Sequence, residues 1–108
     1  MSQEVLSVAV FDPGPGKEEE CLATLRELSA VLAAGRFSRD LLYRESKESN
    51  RYVLVRYWSS ERAREDALED PAALRCWARL AHLMTIIKVY EALEEVPLVL
   101  APDLQRND

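Results

Sequence analysis

Apolar residues in this chain are spaced now as a strand and now as a helix would need them, and the changes of spacing divide the sequence into elements. Val5 to Phe11 (VLSVAVF) is a short, Val-rich run closed by Asp12-Pro13-Gly14-Pro15-Gly16, which predicts a strand buried on both faces and a rigid turn after it. From Lys17 to Ala34 the positions Cys21, Leu22, Leu25, Leu28, Val31 and Leu32 recur at helical spacing, and Gly35 follows as the residue just past the end. Glu18, Glu19 and Glu20 fall in the first turn, where the helix dipole favours negative charge. Strand character resumes over Arg36 to Glu45, a polar turn covers Ser46 to Asn50, and Tyr52 to Trp58 alternates, so a hairpin is expected. The alternation sends Val53, Val55 and Tyr57 to one face and Tyr52, Leu54, Arg56 and Trp58 to the other.

Ser59 is the expected N-cap of a helix from Ser60 to Glu69, and Asp70-Pro71 restarts it with Asp70 as N-cap and Pro71 at the first helical position. In this second piece Leu74, Trp77, Ala78, Ala81 and Met84 are expected to form the apolar stripe, with Arg75, Arg79 and His82 on a more polar face. Thr85 to Leu93 (TIIKVYEAL) reads as a last strand. The order is βαββαβ, which predicts an α+β fold with a ferredoxin-like antiparallel sheet and helices on one face. Neither sheet face is wholly polar, so the face without helices needs a cover, and a second copy of the chain is the expected one. The domain is assigned to residues 1–95. Residues 96–108 form a tail, bounded by prolines in its apolar part, that is expected to clasp a neighbouring subunit.

Length and charge narrow the function. A chain of 108 residues with 48% hydrophobic positions fits one domain with one modest core. A net charge of -5 argues against nucleic acid or an anionic membrane surface, which need a clustered positive field. No apolar run approaches the roughly 20 residues that span a bilayer, and MSQEVLSVAVF lacks a basic lead and a cleavage site, so a cytoplasmic protein is expected. Cys21 and Cys76 lie far apart in helical segments without metal-site spacing, which predicts free, buried thiols and no metal.

Few residues carry candidate chemistry. His82 is the lone imidazole, so any histidine acid/base role falls on it, against the plainer reading of a solvated helix face beside Arg75 and Arg79. Arg56, mid-strand among apolar neighbours, either pairs with a carboxylate such as Glu91 across an interface or awaits an anionic ligand. Tyr52, Arg56, Trp58 and Tyr90 are expected to line one cavity as an aromatic box with one cation. Gly14-Pro15-Gly16-Lys17 lacks the spacing and the Ser or Thr of a phosphate loop and is read as a turn.

A YVLVRYW strand, followed by SSERA and a helix restarting at DPAALRCW, resembles the dimeric α+β barrel of the antibiotic biosynthesis monooxygenase type over roughly Val5 to Glu95. The resemblance implies that two ferredoxin-like subunits face their sheets together as a homodimer, each keeping a pocket between its sheet and helices. It also implies chemistry of the quinone-forming, cofactor-independent oxygenases, in which an aromatic or phenolic substrate supplies the electrons for dioxygen. On that basis Arg56, Asn50 and His82 are the catalytic candidates, Tyr52, Trp58 and Tyr90 the substrate-binding ones, and no cofactor is expected. Asn50 and Trp58 have the residue types this branch uses in the region, at a different spacing. The haem-degrading branch's Asn, Trp and His positions are held here by Val8 or Ala9, Ala67 and Trp77, so haem degradation is not expected. The alternative function is a non-catalytic dimeric domain that binds a small apolar ligand or only pairs subunits.

Overall fold

A computed structural model describes residues 5–98. Its elements are β1 (Val5–Pro13), α1 (Glu18–Ala34), β2 (Ser38–Arg44), β3 (Tyr52–Trp58), α2 (Glu61–Ala67), α3 (Pro71–Leu80) and β4 (Met84–Leu93). The strands form one antiparallel sheet in the order β2-β3-β1-β4, the ferredoxin-like arrangement expected from the βαββαβ order. Most of the 96–108 tail lies outside the described residues.

The alternation in β3 decides which face of the sheet meets the helices. Tyr52, Leu54, Arg56 and Trp58 are buried while Val53, Val55 and Tyr57 are half-buried. Register carries the same division to the neighbours: Val5, Ser7, Ala9 and Phe11 of β1 stand opposite the buried set, and Leu6, Val8 and Val10 opposite the other. The core lies between that inner face and the helices, and is built from Phe11, Tyr52, Leu54 and Trp58 against Cys21, Leu25, Leu28 and Leu32 of α1 and Ala73, Cys76 and Leu80 of α3. Among the described residues no helix covers the outer face, so β1 is half-buried from Val5 to Val10 rather than enclosed on both sides.

Three local expectations are corrected. Ser60, not Ser59, caps α2: it has extended backbone and its hydroxyl accepts the Ala63 N–H at 3.0 Å, while the Ser59 hydroxyl donates to the carbonyl oxygens of Arg36 and Phe37. Asp70 caps α3 as expected, with Pro71 at the first helical position. The buried stripe of α3 is Ala73, Cys76 and Leu80, continued by Leu83, whereas Leu74, Ala78 and Ala81 are exposed; Trp77 and Met84 are half-buried at its margin. The helix is rotated by about one residue from the expected face, because the small Ala73 and Cys76 permit close packing on α1.

The end of α1 departs in a third way. Gly35 itself is right-handed, and the left-handed residue is Arg36, with φ 60°. Arg36 N–H donates to the Ala33 carbonyl at 3.0 Å and Phe37 N–H to the Leu32 carbonyl at 2.9 Å, the two bonds of a Schellman closure. Gly35 is needed for room instead: a Cβ there would lie 2.5 Å from the Phe37 ring. Arg36→Gly, which relieves the left-handed strain, is therefore expected to raise stability by on the order of 1 kcal/mol, and Gly35→Ala to lower it, in chemical denaturation.

Candidate functional site

Between the inner face of the sheet and the helices lies a cleft of about 350 Å³, within the roughly 300–1,000 Å³ common for small-molecule sites. Its apolar wall comes from Leu25 and Leu28 of α1, Leu54 of β3, Leu68 after α2, Leu80 of α3, and Met84, Ile86 and Val89 of β4, with Ala9 on the floor. Two indoles, Trp58 and Trp77, also line it. The polar groups are Ser7, Arg56, Arg64 and Glu91.

Arg56 owes its place to Asp40, which stands directly opposite it in the β2–β3 register. Nε and Nη2 of Arg56 donate to the two Asp40 carboxylate oxygens at 2.8 and 2.9 Å, and Ser29 of α1 donates to the same carboxylate at 2.5 Å. Both side chains are almost fully buried, at 8% and 5% exposure. The partner is therefore within the chain, and Glu91 is not it. The guanidinium lies 5.5 Å from the Trp58 ring, and its Nη1 makes no hydrogen bond among the described residues. Arg56 thus meets the cleft as a neutralised but directional donor.

A second chain of bonds ties the cleft's far wall together. Trp58 Nε1 donates to Ser7 Oγ at 2.8 Å, and Ser7 Oγ donates to the Glu91 carbonyl at 2.5 Å. Arg64 of α2 reaches across the opening, with Nη2 at 3.5 Å from Glu91 and Nη1 at 2.9 Å from Glu61.

Of the six candidates from sequence, the cleft brings together Arg56 and Trp58. Tyr52 is on the same sheet face but two strand positions further from Arg56 than Leu54, stacked on Phe11 at 5.6 Å between centroids, donating to Glu18 and accepting from Arg44. Burial and the Glu18 bond push its phenol above the usual range. Tyr90 sits on the outer face opposite Val8, and the four-residue box around Arg56 is corrected accordingly. Asn50 holds the hairpin turn to β1 through the Pro13 carbonyl at 3.2 Å. His82 is exposed past the end of α3, and its carbonyl accepts Lys17 Nζ at 3.0 Å. That bond, with Gly16 at φ 72° and Gly14 N–H on the Leu83 carbonyl, makes the Gly14–Lys17 segment a structural turn.

Sequence reasoning missed Asp40, Ser7, Trp77, Arg64 and Glu91 as site residues. Asp40 had a signal: folding the hairpin symmetrically about Glu48, the centre of the Ser46–Asn50 turn, puts Asp40 opposite Arg56. Among the described residues no three His, Cys, Asp or Glu side chains converge as metal ligands would, and no helix is long and apolar enough to cross a membrane. Cys21 and Cys76 are free and buried, with burial raising both thiols above their ordinary range.

No protein-family model matches the sequence, and no curated protein matches it. Solved structures do. SnoaB, a cofactor-independent oxygenase from Streptomyces nogalater, is 26% identical, with 89% of this chain and 99% of SnoaB covered at a TM-score of 0.72. This chain has the antibiotic biosynthesis monooxygenase-like fold. A Chloroflexus aurantiacus protein provisionally described as an antibiotic biosynthesis monooxygenase shares that fold at 13% identity, covering 92% of this chain and 100% of its own, with a TM-score of 0.71. PA3566 from Pseudomonas aeruginosa shares it at 21% identity, covering 90% and 98%, also at 0.71. At these two identities the likeness concerns the monooxygenase-like fold alone.

Removing one partner of the Arg56–Asp40 pair strands a buried charge. Arg56→Ala and Asp40→Ala are each expected to lose about 3–5 kcal/mol in urea denaturation, while the double variant Arg56→Met/Asp40→Leu recovers most of the loss.

Proposed function

We propose that this chain is a small cofactor-independent oxygenase acting on a fused-ring phenol. The observation that carries this reading is the cleft itself, which sets a guanidinium donor and two indoles in an otherwise apolar wall. It is supported by 26% identity to an oxygenase of that kind over nearly the whole chain.

The residues suit a reaction in which the substrate provides the electrons. Aliphatic side chains and the indoles of Trp58 and Trp77 take up the ring system and displace water. Arg56 Nη1 donates to the ring oxygen, and the donor is worth more there than in water because the surroundings are apolar. An ionised phenol gives up an electron to dioxygen far more readily than a neutral one. One oxygen atom then becomes a new carbonyl at a ring carbon, and the other leaves as water with the hydrogens lost from that carbon and from the hydroxyl. The product is a quinone.

A panel of fused-ring phenols headed by α-naphthol tests this through oxygen uptake and quinone absorbance. The wild type is expected to consume oxygen, and Val89→Trp, which narrows the cleft from its exposed edge, to lose on the order of tenfold or more in kcat/KM. Binding of α-naphthol with no uptake for any phenol would favour the non-catalytic ligand-binding reading instead.

We further propose that a second copy of the chain covers the outer sheet face. The support is a continuous apolar surface of Leu6, Val8, Val10, Val53, Val55 and Tyr57, with Leu41, Tyr43 and Tyr90 exposed at 40%, 54% and 42%. A face of this kind is costly to leave wet. Light scattering is expected to give a dimer for the wild type and a monomer for Val55→Glu; a monomeric wild type would exclude the pairing.

A further inference from the structure

We propose that Glu91 is the proton acceptor for a phenol bound in the cleft, an assignment that rests on the oxygenase reading above. Among the cleft-lining residues only Arg56, Arg64 and Glu91 carry charged side chains. A guanidinium keeps its proton near neutral pH, so the Glu91 carboxylate is the remaining base. Asp40 does not compete, because its carboxylate is taken up by Arg56 and Ser29 and does not line the cleft. His82 lies outside it.

The backbone aims Glu91 there. Leu6 pairs with Leu93 and Val8 with Tyr90, so Ser7 alone stands opposite both Glu91 and Ala92. The phase of β4 is set by an earlier slip, where Phe11 pairs with Ile86 and Val10 with Lys88: the extra residue Ile87 puts Val89 opposite Ala9 on the inner face, Tyr90 on the outer face and Glu91 inward again, toward the cleft. Ser7, itself held by the Trp58 indole, fixes the Glu91 carbonyl. Arg64 approaches the carboxylate from α2 at 3.5 Å and orients it across the opening. The side chain is 74% exposed, which leaves water beside it to carry a proton away.

The step is a simple transfer. The carboxylate takes the hydroxyl proton, the O–H electron pair stays on oxygen as an aryloxide that accepts from Arg56, and the proton passes from Glu91 to water.

Glu91→Gln, nearly isosteric, is the test, with α-naphthol as the probe. Its kcat for oxygen uptake should fall roughly 10²-fold or more, the size of a lost general base. Binding measured by equilibrium dialysis should stay within about twofold of wild type, since the loss is confined to turnover. Raising the pH toward about 10, where a phenol ionises unaided, should restore the variant toward wild-type rates. Equal turnover in the two proteins, or a loss that high pH does not repair, overturns the role of Glu91 and leaves the oxygenase reading standing. No uptake by the wild type with any phenol of the panel overturns that reading and the role together.

Discussion

A guanidinium and a carboxylate taken out of water together must meet, and in this chain that requirement joins three elements. Arg56 of β3, Asp40 of β2 and Ser29 of α1 form one buried hydrogen-bonded group. Its main effect is on register. The outer part of β2 is weakly specified by burial, since Leu41 and Leu42, on opposite faces, are both 40% exposed. Hydrophobic patterning alone would therefore discriminate little between this pairing and one shifted by a residue. A shift would carry Asp40 to the outer face and leave Arg56 buried without a partner, which costs several kcal/mol. The ion pair thus makes the correct hairpin the only inexpensive one, and with it come Leu54 and Trp58 against the helices and the guanidinium at the edge of the cleft.

At the opposite edge of the sheet, β4 is held differently. Its residues from Thr85 to Leu93 are all exposed in the single chain, and its pairing with β1 slips between Val10 and Phe11 and again between Leu6 and Val8. Each slip exchanges which residues face the helices. Met84, Ile86, Val89 and Glu91 reach the cleft, while Lys88 and Tyr90 face outward with the Lys88 amine 5.2 Å from the Tyr90 ring. A regular strand could not send both Ile86 and Val89 to one side. The irregular edge is what gives the cleft its fourth wall.

These two edges explain what the sequence made legible. Element order and the face division of β3 follow from periodicity, because each depends only on neighbours along the chain or on a two-residue alternation, whereas the sheet order, which sets β1 between β3 and β4, follows from matching the βαββαβ order to the ferredoxin-like arrangement. The α3 stripe was misplaced because Leu74 is more hydrophobic than Ala73, yet Ala73 is the residue small enough to pack against α1. Ser59 and Ser60 are equivalent as letters, and only the carbonyls of Arg36 and Phe37, which draw Ser59 away, assign the cap to Ser60. The site was harder to read for the same reason. Arg56 and Trp58 were legible as a charge and an aromatic on a buried face, but Tyr90 was placed by an alternation that the β4 bulge breaks. Asp40 required a register, Arg64 a helix orientation, and Glu91 the bulge itself.

The polar groups of the cleft run from a neutral, buried end to a wet one. At the inner end Arg56 is fully matched by Asp40, so it brings no net charge to attract an anion from solution; it offers only aligned N–H groups, whose attraction acts at hydrogen-bond range. At the outer end Arg64 and Glu91 are in contact with water. A neutral phenol can enter such a cleft without a large desolvation penalty, whereas an aryloxide arriving from water would lose its hydration for one donor already partly occupied. For the proposed oxygenase reaction, the arrangement would favour binding the neutral form and ionising it in place, with the proton leaving toward the wet end as charge develops beside the dry one. It is a division of labour that a lone buried arginine, unmatched by Asp40, could not support, because that arginine would bind anions tightly before any chemistry began.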